Sequence, residues 1–209
     1  MDALLPGWVE ALAAALDEQG DGLDAPTREA LRRVETLASG QPAAASVLIA
    51  IVETAGGTGM LFTRRRDDIA THPGQVAFPG GAREGAESVE RTALREAEEE
   101  VALPPEYVRV LGRLADYPTT SGYRVTPVVG YVPKLPLLRA QPGEVAGIFI
   151  VPLAVLLDTR RWKDRPLDFN GRRFPHRELL WEDQRIWGAT AGMLRLLLPA
   201  LGKAWGERP

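Results

Sequence analysis

A spaced set of acidic residues between Gly81 and Leu103 is the feature of this sequence best suited to chemistry. On a helix, Glu96, Glu99 and Glu100 stand at i, i+3 and i+4, so their side chains share one face. Carboxylates held this close repel each other unless a cation joins them. Hard oxygen ligands on a rigid element suit Mg²⁺ or Mn²⁺. The spacing therefore predicts a divalent metal site on this helix.

The competing interpretation of this segment is a solvent-exposed acidic helix face, which is the usual role of a charge run. Two neighbouring features favour the metal site. Leu94, Ala97 and Val101 form an apolar stripe, so we expect the helix to be docked with its acids in a fixed orientation. Before it, Gly80 and Gly81 favour a turn in which the backbone bends or approaches another group closely.

The same segment resembles the Nudix box, the signature of a family of diphosphate hydrolases. The matching positions are Gly81, Glu87, Arg95, Glu96, Ala97, Glu99, Glu100 and Leu103. Ala102 departs from the motif, because a helix-ending glycine is expected there. The resemblance implies a metal-dependent hydrolase of nucleoside diphosphate linkages.

The resemblance also assigns roles to individual residues. It implies that Glu96, Glu99 and Glu100 bind Mg²⁺ or Mn²⁺, and that Arg95 pairs with Glu87 to hold the loop against the helix. The general base is then either Glu99 or a glutamate on a distant loop, for which Glu144 is the candidate. A binding module without catalysis is the alternative class, but such a protein is expected to have lost acids from the box.

Further segments resemble the coenzyme A diphosphatases of this family. They are residues 61–65, 72–81, 123–130, 144–145 and 186–192, within a resemblance that spans roughly residues 44–201. This subgroup implies cleavage of coenzyme A or a derivative into 3′,5′-ADP and 4′-phosphopantetheine or its acyl form. Ala70 stands where an arginine able to contact a substrate phosphate is expected. ADP-ribose, NADH or another nucleoside diphosphate derivative is therefore the alternative substrate.

Substrate contacts are expected upstream of the acids. Arg64 and Arg65 are candidates for binding anionic groups such as a 3′-phosphate, although a solvated strand end is an equally good interpretation. His72 lies in the subgroup segment and is expected to make a polar contact with substrate. Gly80 and Gly81 are expected to let the backbone approach the diphosphate.

Composition excludes several other classes of function. The chain has 209 residues, 45% hydrophobic and 25% charged, with a net charge of −3, which gives no reason to expect nucleic-acid binding. Cysteine is absent, which excludes disulfides and thiolate catalysis. No apolar run approaches the about 20 residues that span a bilayer. We expect a cytoplasmic protein with a small-molecule nucleotide as partner, no nucleic-acid or membrane partner, and a monomeric or homodimeric state.

The elements that position these residues follow an α/β pattern. Residues 1–43 predict an N-terminal helical extension broken near Gly20–Gly22, and residues 44–205 predict one Nudix hydrolase domain. The remaining predicted elements are strands near residues 45–53, 60–64, 108–115, 124–132 and 148–152, a hairpin turn at Asn170–Gly171, and an amphipathic helix over residues 183–201. The pattern predicts an α/β/α sandwich around a mixed sheet, which the resemblance also implies.

Overall fold

A computed structural model describes residues 5–19, 23–36, 41–69, 72–169, 172–174 and 176–206. The helices are α1 (Gly7–Gln19), α2 (Ala25–Glu35), α3 (Val89–Val101), α4 (Leu153–Leu157) and α5 (Gly188–Gly206). The strands are β1 (Ala43–Thr54), β2 (Gly57–Arg65), β3 (Val76–Ala77), β4 (Gly80–Ala82), β5 (Arg109–Arg113), β6 (Tyr117–Pro118), β7 (Tyr123–Val132), β8 (Val145–Pro152), β9 (Trp162–Asp164), β10 (Leu167–Phe169), β11 (Arg172–Phe174), β12 (Arg177–Trp181) and β13 (Gln184–Ile186). Ala70 and the turns predicted at Gly20–Gly22 and Asn170–Gly171 lie outside the described residues.

The central sheet is built around β1. This strand pairs parallel with β7 and antiparallel with β2 and β4, and the main strand order is β3-β2-β1-β7-β5. Its central residues are buried, as expected for a strand covered on both faces. The sheet is therefore mixed, as the sequence predicts.

Helices cover the two faces of this sheet. On one face, Leu48, Ala50 and Val52 of β1 pack in one apolar cluster with Ala93 and Ala97 of α3. On the other face, the alternate β1 residues join a second cluster with α1 and α5. The α/β/α sandwich predicted from the sequence is thus confirmed. No helix in the described part of the chain has the length and apolar character needed to cross a membrane.

The first helix packs in the same core as the sheet. Val9, Leu12 and Leu16 of α1 are buried, and Trp8 meets Trp205 of α5 edge-on with ring centroids 4.9 Å apart. Any boundary between residues 1–43 and 44–205 therefore separates segments that share one apolar core. The division at residue 43 stays a prediction.

The C-terminal helix begins later than the sequence predicts. Residues 184–186 form β13, which pairs with β12, and α5 starts only at Gly188. Gly188 has a φ of 61°, a left-handed conformation that favours glycine and marks the change from strand to helix. The prediction of a helix from residue 183 was therefore wrong at its start, because residues 184–186 fold back on β12 across a tight turn at Glu182 and Asp183.

Candidate metal and substrate site

Helix α3 carries the acidic cluster and has defined ends. At its start, the Ser88 hydroxyl accepts a hydrogen bond from the Arg91 backbone N–H at 3.2 Å. At its end, Ala102 has a left-handed conformation with a φ of 54°. Its N–H donates to the Glu98 carbonyl at 3.0 Å, and the Leu103 N–H donates to the Ala97 carbonyl at 3.3 Å. The residue that departs from the motif therefore adopts the conformation expected of the missing glycine, at a cost of about 1 kcal/mol.

Arg95 is the hub of the cluster. Its Nε donates to Glu87 Oε1 at 3.1 Å, and its Nη1 donates to Glu96 Oε1 at 2.9 Å and Glu99 Oε2 at 3.1 Å. Its Nη2 donates to the Ala82 carbonyl at 3.1 Å, which attaches the loop before α3 to the helix. The contact predicted between Arg95 and Glu87 is therefore present. The hydrogen bond to Glu87 and the charges of Glu87 and Glu96 raise the pKa of Arg95, so the hub stays cationic.

The three predicted metal ligands differ in their surroundings. The Glu99 side chain is 58% exposed and that of Glu96 is 16% exposed, whereas Glu100 is buried at 6%. Burial, followed by the negative charges of Glu96 and Glu144, raises the pKa of Glu100 to about 8. Burial also raises the pKa of Glu96, against the opposing effect of Arg95. The charge of Arg65 lowers the pKa of Glu100, but it does not outweigh burial and the two neighbouring acids.

The three carboxylates are ligands of the type that a divalent cation binds, but their present positions do not form a metal site. In the described part of the chain, no three acidic or histidine side chains stand close enough together to hold a metal ion as they are. Arg95 accounts for this, because it draws the carboxylates of Glu96 and Glu99 onto its guanidinium. Glu100 nevertheless lies near enough to Glu96 and Glu144 for their charges to raise its pKa. Long glutamate side chains reorient readily on a fixed helix, so a bound cation would draw the carboxylates together.

The two glycines of β4 allow a close approach to this cluster. A Cβ atom on Gly81 would lie 2.5 Å from Glu96 Oε1, and one on Gly80 would lie 2.4 Å from the Ser46 carbonyl oxygen. Gly80 also gives its backbone N–H to the Glu100 carboxylate. The two glycines thus allow β4 to lie between β1 and the acidic face of α3, because there is no room for a side chain at either position.

Most of the predicted site residues line one cavity, which we call the groove. The groove has a volume of about 2130 Å³ and is lined by Arg65, His72, Gly80, Gly81, Glu96 and Glu144, together with residues of α2 and α5. Glu144 is exposed on the loop before β8. Glu99 and Glu100 do not line the groove; Glu100 lies buried beside it.

The two candidate arginines have different environments. The Nε of Arg65 is buried and has no hydrogen-bond partner among the described residues. Arg64 instead binds Asp67 at 3.0 Å and is not part of the groove lining. Arg65 is therefore the one with an unused donor at the site.

Sequence reasoning missed the far wall of the groove. His176 is half-buried in the groove lining and accepts a hydrogen bond from the Gly188 N–H at 3.3 Å. Burial lowers its pKa, which favours this acceptor role. Thr190 donates to the Val76 carbonyl at 2.9 Å and so ties α5 to the strand before the acidic site. The only available signal was the family-like segment 186–192, which lies at the start of α5.

The chain is similar in sequence to known proteins of one family. The sequence profile of the NUDIX domain matches residues 42–169. Relatives named "Uncharacterized Nudix hydrolase NudL", from Escherichia coli O157:H7 and Shigella boydii serotype 18, are each 46% identical over 161 residues, covering 76% of this chain and 82% of theirs. Among solved structures, the Nudix hydrolase RenU of M. smegmatis is similar with a TM-score of 0.48, 24% identity, and coverage of 57% of this chain and 76% of that one. The NUDIX domain of Shewanella oneidensis NrtR, in complex with ADP ribose, has a TM-score of 0.44 and 19% identity, covering 68% of this chain and 85% of that one.

The close contact at Gly81 gives a direct test of the cluster. We expect Gly81→Ala to weaken Mg²⁺ binding at least about tenfold, because the added methyl group would occupy space beside α3 that the Glu96 side chain uses. Isothermal titration calorimetry with Mg²⁺ measures the effect. Gly147→Ala is the control, because a Cβ atom there meets nothing within 4 Å. Equal Mg²⁺ affinity of both variants and the unaltered protein would contradict this account of the cluster.

Proposed function

This chain belongs to the Nudix family and is a Nudix hydrolase, and we propose that it hydrolyses the diphosphate linkage of coenzyme A or a coenzyme A derivative. The products are 3′,5′-ADP and 4′-phosphopantetheine or its acyl form. One observation carries the proposal: the carboxylates of Glu96 and Glu144 and the unpartnered Nε of Arg65 belong to one groove. Its volume of about 2130 Å³ exceeds the roughly 300–1,000 Å³ typical of small-ligand pockets, which leaves room for an elongated substrate.

Under this proposal the acids of α3 hold the metal. Glu96, Glu99 and Glu100 are the proposed ligands of Mg²⁺ or Mn²⁺, because they provide hard oxygen donors on neighbouring turns of α3. A bound ion offsets the negative charge of the diphosphate and activates the attacking water. Arg95 acts as a positioning residue, since it holds the loop and two of the acids together.

The other site residues are proposed to bind the substrate or to accept a proton from the attacking water. We assign the general base to Glu144, because it is exposed in the groove, whereas Glu99 accepts a hydrogen bond from Arg95. Arg65 offers its unused donor to a phosphate oxygen. His72 lines the groove on the loop before β3 and is the proposed polar contact to the nucleotide. Gly80 and Gly81 provide backbone without side chains beside the diphosphate.

ADP-ribose or NADH is the alternative substrate. The observation that favours it is Ala70, which replaces an arginine expected of coenzyme A diphosphatases. The cytoplasmic location, the lack of nucleic-acid and membrane partners, and a monomeric or homodimeric state remain predictions from the sequence.

Product analysis by mass spectrometry tests the proposed reaction. Coenzyme A, ADP-ribose and NADH are offered side by side with Mg²⁺ and with Mn²⁺. We expect metal-dependent release of 3′,5′-ADP from coenzyme A, with kcat at least about a hundredfold lower in Glu99→Gln because a metal ligand loses its charge.

The other outcomes of this assay are equally informative. Cleavage of only ADP-ribose or NADH would keep the reaction class and overturn the substrate. Mg²⁺ binding without turnover of any of the three would contradict the proposed hydrolysis of these diphosphates.

Arg65 gives a second test, of substrate binding. We expect Arg65→Met to raise KM for coenzyme A at least about tenfold, because it removes a charge-assisted hydrogen bond to phosphate. Arg64→Met is the matched control, since it makes the same change at the neighbouring position, outside the groove lining. Steady-state kinetics of both variants measure the difference. An unchanged KM in Arg65→Met would remove Arg65 from the substrate site.

A further inference from the structure

Helix α2 is amphipathic but packs unusually loosely. None of its residues is fully buried, although Ala30, Leu31 and Val34 form an apolar stripe at helical spacing. An amphipathic helix normally covers such a stripe by packing it against the core. Here these residues line the groove and stay partly exposed. The stripe therefore faces space that a ligand can fill.

Helix α5 contributes a second apolar wall to the same groove. Its lining residues include Leu196, Leu198 and Pro199, and Leu196 is almost completely buried. Glu96 and Glu144 line this cavity too, so the apolar end is continuous with the proposed reaction site. A substrate bound at the acids can thus extend an attached chain between α2 and α5.

The charges at this end do not favour an anionic ligand. Glu29 and Arg33 of α2 line the groove but form an exposed ion pair with each other at 3.1 Å. Arg195 of α5 is exposed, and its charge acts on Asp24 at the start of α2. Cations and acids are therefore balanced around an apolar interior. This combination suits a neutral aliphatic chain better than a phosphate or a carboxylate.

We propose that the α2–α5 end of the groove binds the acyl chain of the substrate, so that long-chain acyl derivatives of coenzyme A are hydrolysed in preference to free coenzyme A. The inference rests on the proposed function, which places the diphosphate at the acids. It goes beyond that function by assigning a separate binding site for the acyl chain, formed in part by α2. Burial of successive methylene groups against Leu31, Val34 and Leu198 provides the preference.

A chain-length series tests the proposal. Free, acetyl-, octanoyl- and dodecanoyl-coenzyme A are compared below their micelle concentrations with the full-length protein and Mg²⁺. We expect kcat/KM to rise with chain length and to be at least about tenfold higher for dodecanoyl- than for acetyl-coenzyme A. Equal values along the series would overturn the acyl site while leaving diphosphate hydrolysis intact.

Substitutions in α2 locate the site. Leu31→Glu places a carboxylate in the apolar wall and is expected to reduce the ratio of dodecanoyl to acetyl activity to about one. Leu31→Met keeps the wall apolar and is expected to retain most of the ratio. Ala25→Glu is the matched control, because it adds the same charge to the same helix outside the groove lining. An equal ratio in Leu31→Glu and Ala25→Glu would contradict a site on α2.

A binding experiment separates this inference from the proposed function. Hydrogen exchange of the backbone amides of α2 is measured with the uncharged alcohol 1-octanol and, as a control, with ethanol. We expect 1-octanol alone to slow exchange in residues 25–35 at least about fivefold, because a bound chain covers the apolar stripe. This result is independent of catalysis, so it stands even if no coenzyme A derivative is hydrolysed. Unchanged exchange with 1-octanol would refute the chain site.

Discussion

The candidate site depends on one guanidinium group. Arg95 binds Glu87, Glu96 and Glu99 and the carbonyl of Ala82, so it connects the loop after β4 to successive turns of α3. Only arginine offers several donors in a fixed planar fork, which is why one side chain can satisfy partners on both sides of it. The glycines of β4 make this possible, since a side chain at Gly81 would occupy the position of the Glu96 carboxylate.

These contacts of Arg95 leave the acids of α3 unequally compensated, which favours binding of a cation. Arg95 neutralises the exposed side of the acidic cluster, whereas Glu100 is buried beside the charges of Glu96 and Glu144. Burial and these two charges raise the pKa of Glu100, and the charge of Arg65 opposes them only in part. A divalent ion bound to the acids would favour the ionised carboxylate, and the groove would bring the diphosphate to it. The proposed chemistry therefore follows from how α3 is held, and the proposed selectivity follows from the apolar walls farther along the groove.

The sequence predicted what local spacing determines. The helix with the acids and the buried strand β1 follow from residue intervals within one element. The pairing of Arg95 with Glu87 was implied by the resemblance to the Nudix box. The sequence did not predict which of Arg64 and Arg65 lines the groove. Adjacent strand residues point to opposite faces, and only the register shows which one reaches the groove. The predicted start of α5 was also wrong, because residues 184–186 pair with β12 in a tight hairpin and the helix begins only after it. Likewise, the groove is formed by α2 and α5, which are far apart in the chain.

The most direct test of the central claim is a crystal structure of the protein soaked in Mn²⁺, with the ion located by anomalous scattering. The account predicts an anomalous peak bound by carboxylate oxygens of Glu96, Glu99 and Glu100, with the contacts of Arg95 to Glu96 and Glu99 rearranged. If saturating Mn²⁺ supports hydrolysis while no peak forms there and both carboxylates remain on Arg95, these acids are not the metal site.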